Sequence, residues 1–451
     1  MTRARLDGLC LLFLGSVVFL LLGFALEKTA PAQLVDFRMM YYPARCLIQN
    51  CDPYKESDVL RVYQTEGGDR SSDTTTVRQV VTRYVYLPTA FCFTVPFAML
   101  PWGAAHMLWM VFTVGSLILG SFLAWDLGAN YAPIVSGVLA GFLLANSEVI
   151  VITGTAAGIA VSLCVVAVWC FLRDRFVPAG ILCLAISLVI KPQDAGLVWL
   201  YFLLAGGIYR KRAVQSLLAT LVLSLPTLMW VWHVAPDWVQ ELHSNITVFF
   251  ARGGINDPGL ASAGAHGLGM VISLQAIFSV FWDNTRIYNP ASYLVFAPLL
   301  LVWMFVTLRY RSSPERTWLA IAAIAAFSML PVYHRQYDAK LILLTVPACA
   351  MLWAEGGLIG PLALGVNTAA FVLTADLPWA FLFGLISHLH RSTTGLSGQT
   401  LMAVQVFPVP LTLLTMGIFY LWVYVLRCSE HASTQALQGR AEDLRINASG
   451  G

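Results

Sequence analysis

Residues 9–26 read LCLLFLGSVVFLLLGFAL, a stretch of 18 residues without one charged side chain. Lipid offers no partner to backbone N–H and C=O groups, so an apolar run of this length forms a helix in a bilayer. Arg3 and Arg5 precede the run, as they would in a secretory signal. The only small-residue cleavage pattern, Ala30-Pro31-Ala32, contains a proline. We therefore predict that this helix is retained.

The composition of the whole chain extends this prediction. The 451 residues are 58% hydrophobic and 11% charged, and the mean hydropathy is +0.72. Soluble globular proteins have about 25% charged residues. The sequence thus predicts an all-α polytopic membrane protein without a soluble domain. The net charge of +3 is too small to argue for a nucleic-acid partner.

Similar apolar runs recur along the chain and predict about twelve transmembrane helices. They cover residues 9–26, 105–126, 132–147, 156–172, 177–190, 193–209, 213–232, 291–309, 316–331, 339–355, 358–374 and 401–427.

Residues 85–100 decide the topology. If they do not cross the membrane, the basic clusters at 173–175, 210–212, 309–316 and 427 fall on the same side as the N-terminus, as the positive-inside rule requires. We therefore predict a half-inserted or surface helix here, which Pro88 and Pro96 would suit. Both termini are then cytoplasmic, and the protein lies in the cytoplasmic membrane.

This topology predicts one integral membrane unit over residues 1–428 and a disordered cytoplasmic tail over 429–451. Two long polar segments face outward, the first over 27–104 with juxtamembrane helices and the second over 233–290. A glycine-rich stretch at 252–269 lacks the spacing of a nucleotide-binding loop.

The nine cysteines show no CxxC or Cys/His spacing, so we predict no metal site from them. Cys46 and Cys51 both lie in the first polar segment and would pair in an oxidising compartment. Two thiols on one local segment are more often unpaired, so the sequence leaves both states open.

Asp36 follows the first apolar run by about ten residues. It is either a solvated interfacial carboxylate or a functional one. Arg38, Tyr42 and Arg45 follow on the same predicted helix. At the membrane surface the carboxylate could act as a general base, and the two arginines beside it could stabilise an anionic leaving group.

Two further sites carry charges where apolar residues are expected. Residues 331–340 interrupt two apolar runs with His334, Arg335, Tyr337 and Asp338, which form either an ordinary polar loop or a phosphate site. Lys191 is the only lysine in a long apolar stretch and needs an anionic partner. Asp194 or a lipid phosphate would serve.

Taken together, these motifs resemble glycosyltransferase family 87, whose members belong to the C-type glycosyltransferase superfamily. The resemblance runs from the first helix to about residue 340. It departs at Thr153-Gly154-Thr155-Ala156, where the family often has a glycine-polar-Asn step. The shared motifs are Asp36 with Tyr41, Tyr42 and Ala44; Asp52-Pro53-Tyr54; Tyr86-Leu87-Pro88 leading to Pro96-Phe97-Ala98 and Leu100-Pro101; and Ile190-Lys191-Pro192-Gln193.

The resemblance implies a C-type fold and an inverting hexosyltransferase, most typically a mannosyltransferase, that needs no cofactor. Its donor would be a polyprenyl-phosphate sugar and its acceptor a lipid or glycan outside the cytoplasm. Asp36 would be the catalytic base, and Lys191 and the turn from His334 to Asp338 would border the donor phosphate. One carboxylate suffices for this transfer, whereas glycoside hydrolysis usually needs two.

Two other classes remain open on the sequence. A transporter or flippase of a lipid-linked glycan would also place basic residues near a lipid phosphate, but it would need access from both faces of the membrane. A polymerase or ligase of lipid-linked glycans would need a cavity for two lipid carriers.

Overall fold

The computed structural model describes residues 2–30, 33–71, 73–254, 256–262, 271–310, 313–389 and 395–449, without the side chains of 383, 386–389 and 430–449. These residues are predominantly helical and contain no β-strand; a single β-bridge joins Ile272 to His334. The membrane helices and the polar segments are described in turn below.

Seven helical segments among the described residues are long and apolar enough to cross a membrane. They are α1 (Arg3–Thr29), α6 (Trp102–Gly128), α7 (Pro133–Ala145) continued by α8 (Glu148–Thr153), α9 (Ala156–Arg173), α12 (Gly207–Val234), α15 (Thr285–Arg309) and the apolar part of α21 (Pro408–Ser449).

The polar segments and the turns between spans form short helices. They are α2 (Val35–Ile48), α3 (Glu56–Thr65), α4 (Thr75–Thr82), α5 (Phe91–Ala98), α13 (Trp238–Phe249) and α14 (Leu274–Ser279). The remaining helices are α10 (Val177–Ile190), α11 (Pro192–Ala205), α16 (Pro314–Phe327), the 3₁₀ helix Asp338–Thr345, α17 (Val346–Glu355), α18 (Ile359–Thr374), α19 (Asp376–Leu389) and α20 (Gly395–Val406).

The prediction of twelve spans is not confirmed. Helices α10, α11 and α16 have 14 residues each, α17 has 10 and α18 has 16. A 14-residue helix is about 21 Å long, against about 30 Å for the hydrocarbon core. Helix α18 and the start of α19 would count together as an eighth span, but they meet at a bend of 79°. Apolar composition continues through these backbone breaks, so hydropathy alone does not reveal them.

The region 85–100 contains a 3₁₀ turn, Pro88–Ala90, followed by the eight-residue helix α5. Eight helical residues extend about 12 Å, which is less than half of a hydrocarbon core. The shape agrees with the expectation that this region does not cross the membrane.

Glycines bring α1 and α7 into close contact. A Cβ added at Gly15 would lie 2.3 Å from the carbonyl oxygen of Gly141, and one at Gly137 would lie 2.3 Å from that of Gly8. Small residues drive such packing in lipid, where helices gain little from the hydrophobic effect. Helix α16 is largely enclosed, and every residue from Thr317 to Phe327 is buried.

A buried lysine joins two helix breaks. The Nζ atom of Lys340 donates to the carbonyl oxygens of Asn146 (2.9 Å) and Thr374 (2.8 Å) and lies 3.2 Å from the carboxylate of Asp376. The same carboxylate accepts from the backbone N–H of Val149 at 2.7 Å. These bonds satisfy backbone groups that the breaks leave without helical partners.

The two polar segments contact each other and the turn at 331–338. The side-chain amide of Asn245 on α13 donates to the carbonyl oxygens of Tyr54 and Tyr84. Ile272 and His334 exchange backbone hydrogen bonds of 2.8 and 3.2 Å. Much of the glycine-rich stretch, residues 255 and 263–270, lies outside the described residues.

Cys46 and Cys51, whose pairing the sequence left open, form a disulfide. Helix α2 ends at Ile48, and Asn50 takes a left-handed conformation (φ 56°) that turns the chain back. The turn brings the two Cα atoms to 5.0 Å, well within the range that a disulfide requires.

The backbone of α21 continues as a helix to Ser449. That residues 429–451 are a disordered cytoplasmic tail stays a prediction, as does the side of the membrane on which either terminus lies.

Candidate active site

A cavity of about 460 Å³ lies where α2, α4, α8 and α13 meet the break between α10 and α11 and the turn at 333–337. Its polar lining residues are Asp36, Thr76, Tyr86, Thr153, Lys191, Gln193, Asn256, Tyr333, Arg335 and Tyr337. A larger groove of about 610 Å³ on α18 has only one polar lining residue, Thr368, and no ionisable one. Convergent ionisable groups make the first cavity the candidate site.

Asp36 is the second residue of α2. The chain enters this helix through Leu34, which is left-handed (φ 51°) and donates its N–H to the carbonyl oxygen of Ile152 at 2.8 Å. The bond fixes the start of α2 against the end of α8. The positive end of the helix dipole then lies next to the carboxylate of Asp36.

Burial raises the pKa of Asp36 from its usual value to about 6, although Arg335, Lys191 and a hydrogen bond from Thr155 oppose the shift. A carboxyl group with a pKa near 6 is ionised at neutral pH and is a stronger base than an ordinary aspartate.

Lys191 lies at the break between α10 and α11, where its backbone leaves the helical conformation (φ −144°, ψ 82°) and Pro192 starts the next helix. Its Nζ atom is 2.5 Å from Oδ1 of Asp338 and 5.4 Å from the ring centre of Tyr337. Burial alone would lower the pKa of Lys191, but Asp338 and Asp194 outweigh it and raise the pKa. The lysine therefore stays charged at the cavity wall.

Arg335 is held by three neighbours. Its Nε atom donates to the hydroxyl of Tyr333 at 2.7 Å, and one of its terminal nitrogens donates to Oδ1 of Asn256 at 2.5 Å. The hydroxyl of Tyr333 donates to the same Asn256 oxygen at 2.6 Å. The backbone N–H of Arg335 donates to Oδ2 of Asp338. The carboxylate of Asp338 thus fixes both Lys191 and the turn that carries Arg335.

His334 and Asp338 are fully buried and do not line the cavity. Nδ1 of His334 lies 3.0 Å from the carbonyl oxygen of Val332, and Nε2 lies 3.2 Å from Oδ1 of Asp194. The partner suggested for Lys191 from the sequence, Asp194, therefore faces His334, and Asp338 takes its place. Of the residues predicted around the donor phosphate, Lys191, Arg335 and Tyr337 line the cavity, and the other two lie behind it.

Arg38, Tyr42 and Arg45 are not brought to the cavity. Arg38 pairs with buried Asp73 at 3.1 Å, and Arg45 pairs with Glu66 at 2.8 Å. The ring of Tyr42 stacks on Trp102. A helix turns about 100° per residue, so positions two, six and nine residues after Asp36 lie on the opposite face of α2. Met39, three residues on, lines the cavity instead.

The contributors that were not predicted as site residues include Asn256, Tyr333, Thr155 and Tyr86. Asn256 lies in the glycine-rich stretch, where local sequence gives no signal for it. Tyr333 adjoins the predicted His-Arg pair, and Thr155 belongs to the motif that departs from the family pattern. Among the described residues, no group of three or more His, Cys, Asp or Glu side chains lies close enough to hold a metal ion.

The model of glycosyltransferase family 87 matches residues 84–332, which is more than half of the chain. The match includes Lys191 but ends before Arg335 and begins after Asp36. No curated protein and no solved structure matches the chain. The family match agrees with the structure, in which long apolar helices suit a membrane and one cavity is lined by a carboxylate and two cations. The chain belongs to glycosyltransferase family 87 and is a membrane glycosyltransferase.

Proposed function

We propose that the protein transfers a hexose, most simply mannose, from a polyprenyl-phosphate donor to an acceptor hydroxyl, with Asp36 as the base. The observation that carries the proposal is that Asp36, Lys191 and Arg335 line one cavity. A carboxylate and two cations in one pocket are what a displacement at a sugar phosphate requires.

In the proposed step the acceptor O–H bond breaks and its proton passes to Asp36. The acceptor oxygen bonds to the anomeric carbon as the bond from that carbon to the phosphate oxygen breaks. The electron pair of that bond leaves with the polyprenyl phosphate. A single displacement inverts the anomeric configuration, and the phosphate already bound to the sugar needs no strong acid to depart.

Lys191 and Arg335 are assigned to the phosphate. The donor phosphate carries one negative charge, and the departing polyprenyl phosphate gains a second as the bond breaks. Cations fixed in place before reaction therefore stabilise the transition state more than the bound donor. Because Asp338 already neutralises much of Lys191, the site suits a monophosphate better than a more highly charged diphosphate.

The other walls of the cavity are apolar. Val77 and Val80 on α4, Ile246 and Phe249 on α13, and Phe250 just after α13, line it. These side chains suit the first isoprene units of a lipid carrier, because burial of apolar surface favours binding. Tyr86 and Tyr337 also line the cavity, and we assign them to the sugar. We propose that the cavity opens on the extracytoplasmic side and that the acceptor is a lipid or glycan there.

The direct test uses the purified protein in detergent with a membrane acceptor fraction. We expect labelled mannose to move from polyprenyl-phosphate mannose into acceptor, with release of polyprenyl phosphate. GDP-mannose should give no product, and the same assay with glucose and galactose donors defines the sugar. Transfer from the nucleotide sugar alone would contradict the donor assignment. Binding of the lipid donor without any glycoside product would favour a flippase.

The pKa of Asp36 predicts the pH dependence of the reaction. Only the ionised carboxylate accepts a proton, and its population falls as the pH falls through about 6. We expect kcat/KM to be level above about pH 7 and to fall about tenfold per pH unit on the acid side of this pKa. A pH–rate profile of the wild type measures this limb. A limb near pH 4, or none between pH 4 and 8, would contradict the assignment.

A further inference from the structure

Behind the cavity wall, two carboxylates and two basic groups form a buried cluster, which we call the buried quartet: Lys191, Asp194, His334 and Asp338. The side chains of Asp194, His334 and Asp338 have no exposed surface, and that of Lys191 is 7% exposed. Lys191 pairs with Asp338, and His334 faces Asp194. Only Lys191 also reaches the cavity.

The two ring nitrogens of His334 both face acceptors. Nδ1 is 3.0 Å from a carbonyl oxygen, which accepts but never donates, so this nitrogen carries a proton. Nε2 is 3.2 Å from the carboxylate of Asp194. A neutral ring would place a lone pair against that carboxylate. Neither Nε2 nor either Asp194 oxygen makes a well-directed hydrogen bond to any described group, including each other. The two groups nevertheless lie within ion-pair distance and have no exposed surface, so a positive charge on the ring would give the buried carboxylate its counter-ion.

The protonation state of His334 sets the net charge of the buried quartet. If His334 were neutral and both carboxylates ionised, the buried quartet would carry a net charge of −1 directly behind the phosphate site. With a protonated His334 the net charge is zero. Asp194 influences Lys191 and Asp338 electrostatically, and His334 influences Asp338, so the four groups act on one another. Such interactions are weakly screened away from water.

We propose that His334 is an imidazolium paired with Asp194, and that this pair keeps the positive charge of Lys191 available to the donor phosphate. The inference rests on the proposed donor site and adds to it two positioning residues that do not touch the substrate. The charged and titratable groups facing the pair come from the helix break (Lys191), the 3₁₀ helix (Asp338) and α9 (Cys164, which lies within the electrostatic reach of Asp194).

The proposal predicts a rescue by charge balance. His334→Gln keeps a hydrogen-bond donor but removes the charge, which leaves the buried quartet at −1. We expect the affinity for farnesyl phosphate, a short polyprenyl phosphate, to fall about tenfold, since one charge within ~10 Å acts at an effective dielectric constant of about 20. Asp194→Asn in the same chain removes the excess negative charge, so His334→Gln/Asp194→Asn should bind farnesyl phosphate nearly as tightly as the wild type. Asp194→Asn alone should bind at least as tightly as the wild type.

Dissociation constants of all four proteins are measured in detergent by titration, and thermal unfolding of each shows whether it is folded. A double variant that binds no better than His334→Gln would show a merely structural role and overturn the proposal. Unchanged affinity for farnesyl phosphate in His334→Gln would also overturn the proposal. If His334→Gln does not fold, Asp194→Asn provides the test, because weaker binding in that variant would overturn the proposal as well. Lys191→Ala separates the two levels of inference. If both Lys191→Ala and His334→Gln leave the affinity unchanged, the proposed donor site itself is wrong. If Lys191→Ala weakens binding and His334→Gln does not, only the role of His334 and Asp194 is wrong.

Discussion

Asp36→Asn is expected to lower kcat by about 10³-fold, because a positioned general base contributes typically 10² to 10⁴-fold. Asparagine has the shape of aspartate but cannot accept the acceptor proton at neutral pH. Its neutral amide costs less to bury than a carboxylate, so we expect a folded protein. The apparent KM for the donor should change little, since the phosphate contacts remain. Steady-state transfer of labelled mannose measures both constants.

The matched control is Asp58→Asn. Asp58 lies on α3 in the same polar segment and does not line the cavity, and its ion pair among the described residues is with the exposed Arg61. Its removal should leave kcat and KM unchanged. An Asp36→Asn enzyme with the activity of the control would eliminate Asp36 as the base, whatever the donor is.

Lys191→Ala has the second largest expected effect, a rise of about 100-fold in the donor KM. The change removes a cation from the phosphate site and leaves Asp338 as a buried carboxylate without its counter-ion. Breaking a buried ion pair at one partner costs several kcal/mol, so the loss in affinity combines a missing attraction with a new repulsion. Donor KM and the dissociation constant for farnesyl phosphate are the quantities to measure.

The double variant Lys191→Ala/Asp338→Asn tests the same role if Lys191→Ala does not fold, because it removes the unpaired carboxylate charge along with the cation. Lys55→Ala is the control for a lysine outside the site, since Lys55 is exposed and does not line the cavity. Donor binding at the wild-type level in Lys191→Ala and in the double variant would exclude Lys191 from the phosphate site.

The sequence predicted the centre of the site because charge is rare in this chain. Asp36, Lys191 and Arg335 each interrupt or closely follow an apolar run, and a membrane protein rarely tolerates such positions without a partner or a function. That they line one cavity follows from their common place at helix ends and turns. Lys191 was also supported by the resemblance of its motif to the family.

The residues around Asp36 show where a sequence argument must use helix geometry. Arg38, Tyr42 and Arg45 are close to Asp36 in sequence, but the turn of α2 directs them to the first polar segment, where Arg38 and Arg45 pair with Asp73 and Glu66. Their partners lie 35 and 21 residues away. Only the fold determines such pairings.

The number of spans and the contacts that hold Arg335 in place depend on residues far apart in the sequence. Lys340 reaches carbonyl groups 194 and 34 residues away, and so holds together the breaks that shorten the predicted spans. Asn256 contacts Arg335 across 79 residues. Hydropathy and local spacing contain no information about these contacts.

The most direct test of the central claim is a single turnover by Asp36→Asn with its donor already bound. The variant is saturated with labelled polyprenyl-phosphate mannose, mixed with acceptor, and sampled for glycoside and for free polyprenyl phosphate. We expect donor binding like that of the wild type, with both products formed about 10³-fold more slowly. Products formed at the wild-type rate would show that the proton goes elsewhere and that the carboxylate in this cavity is not the base.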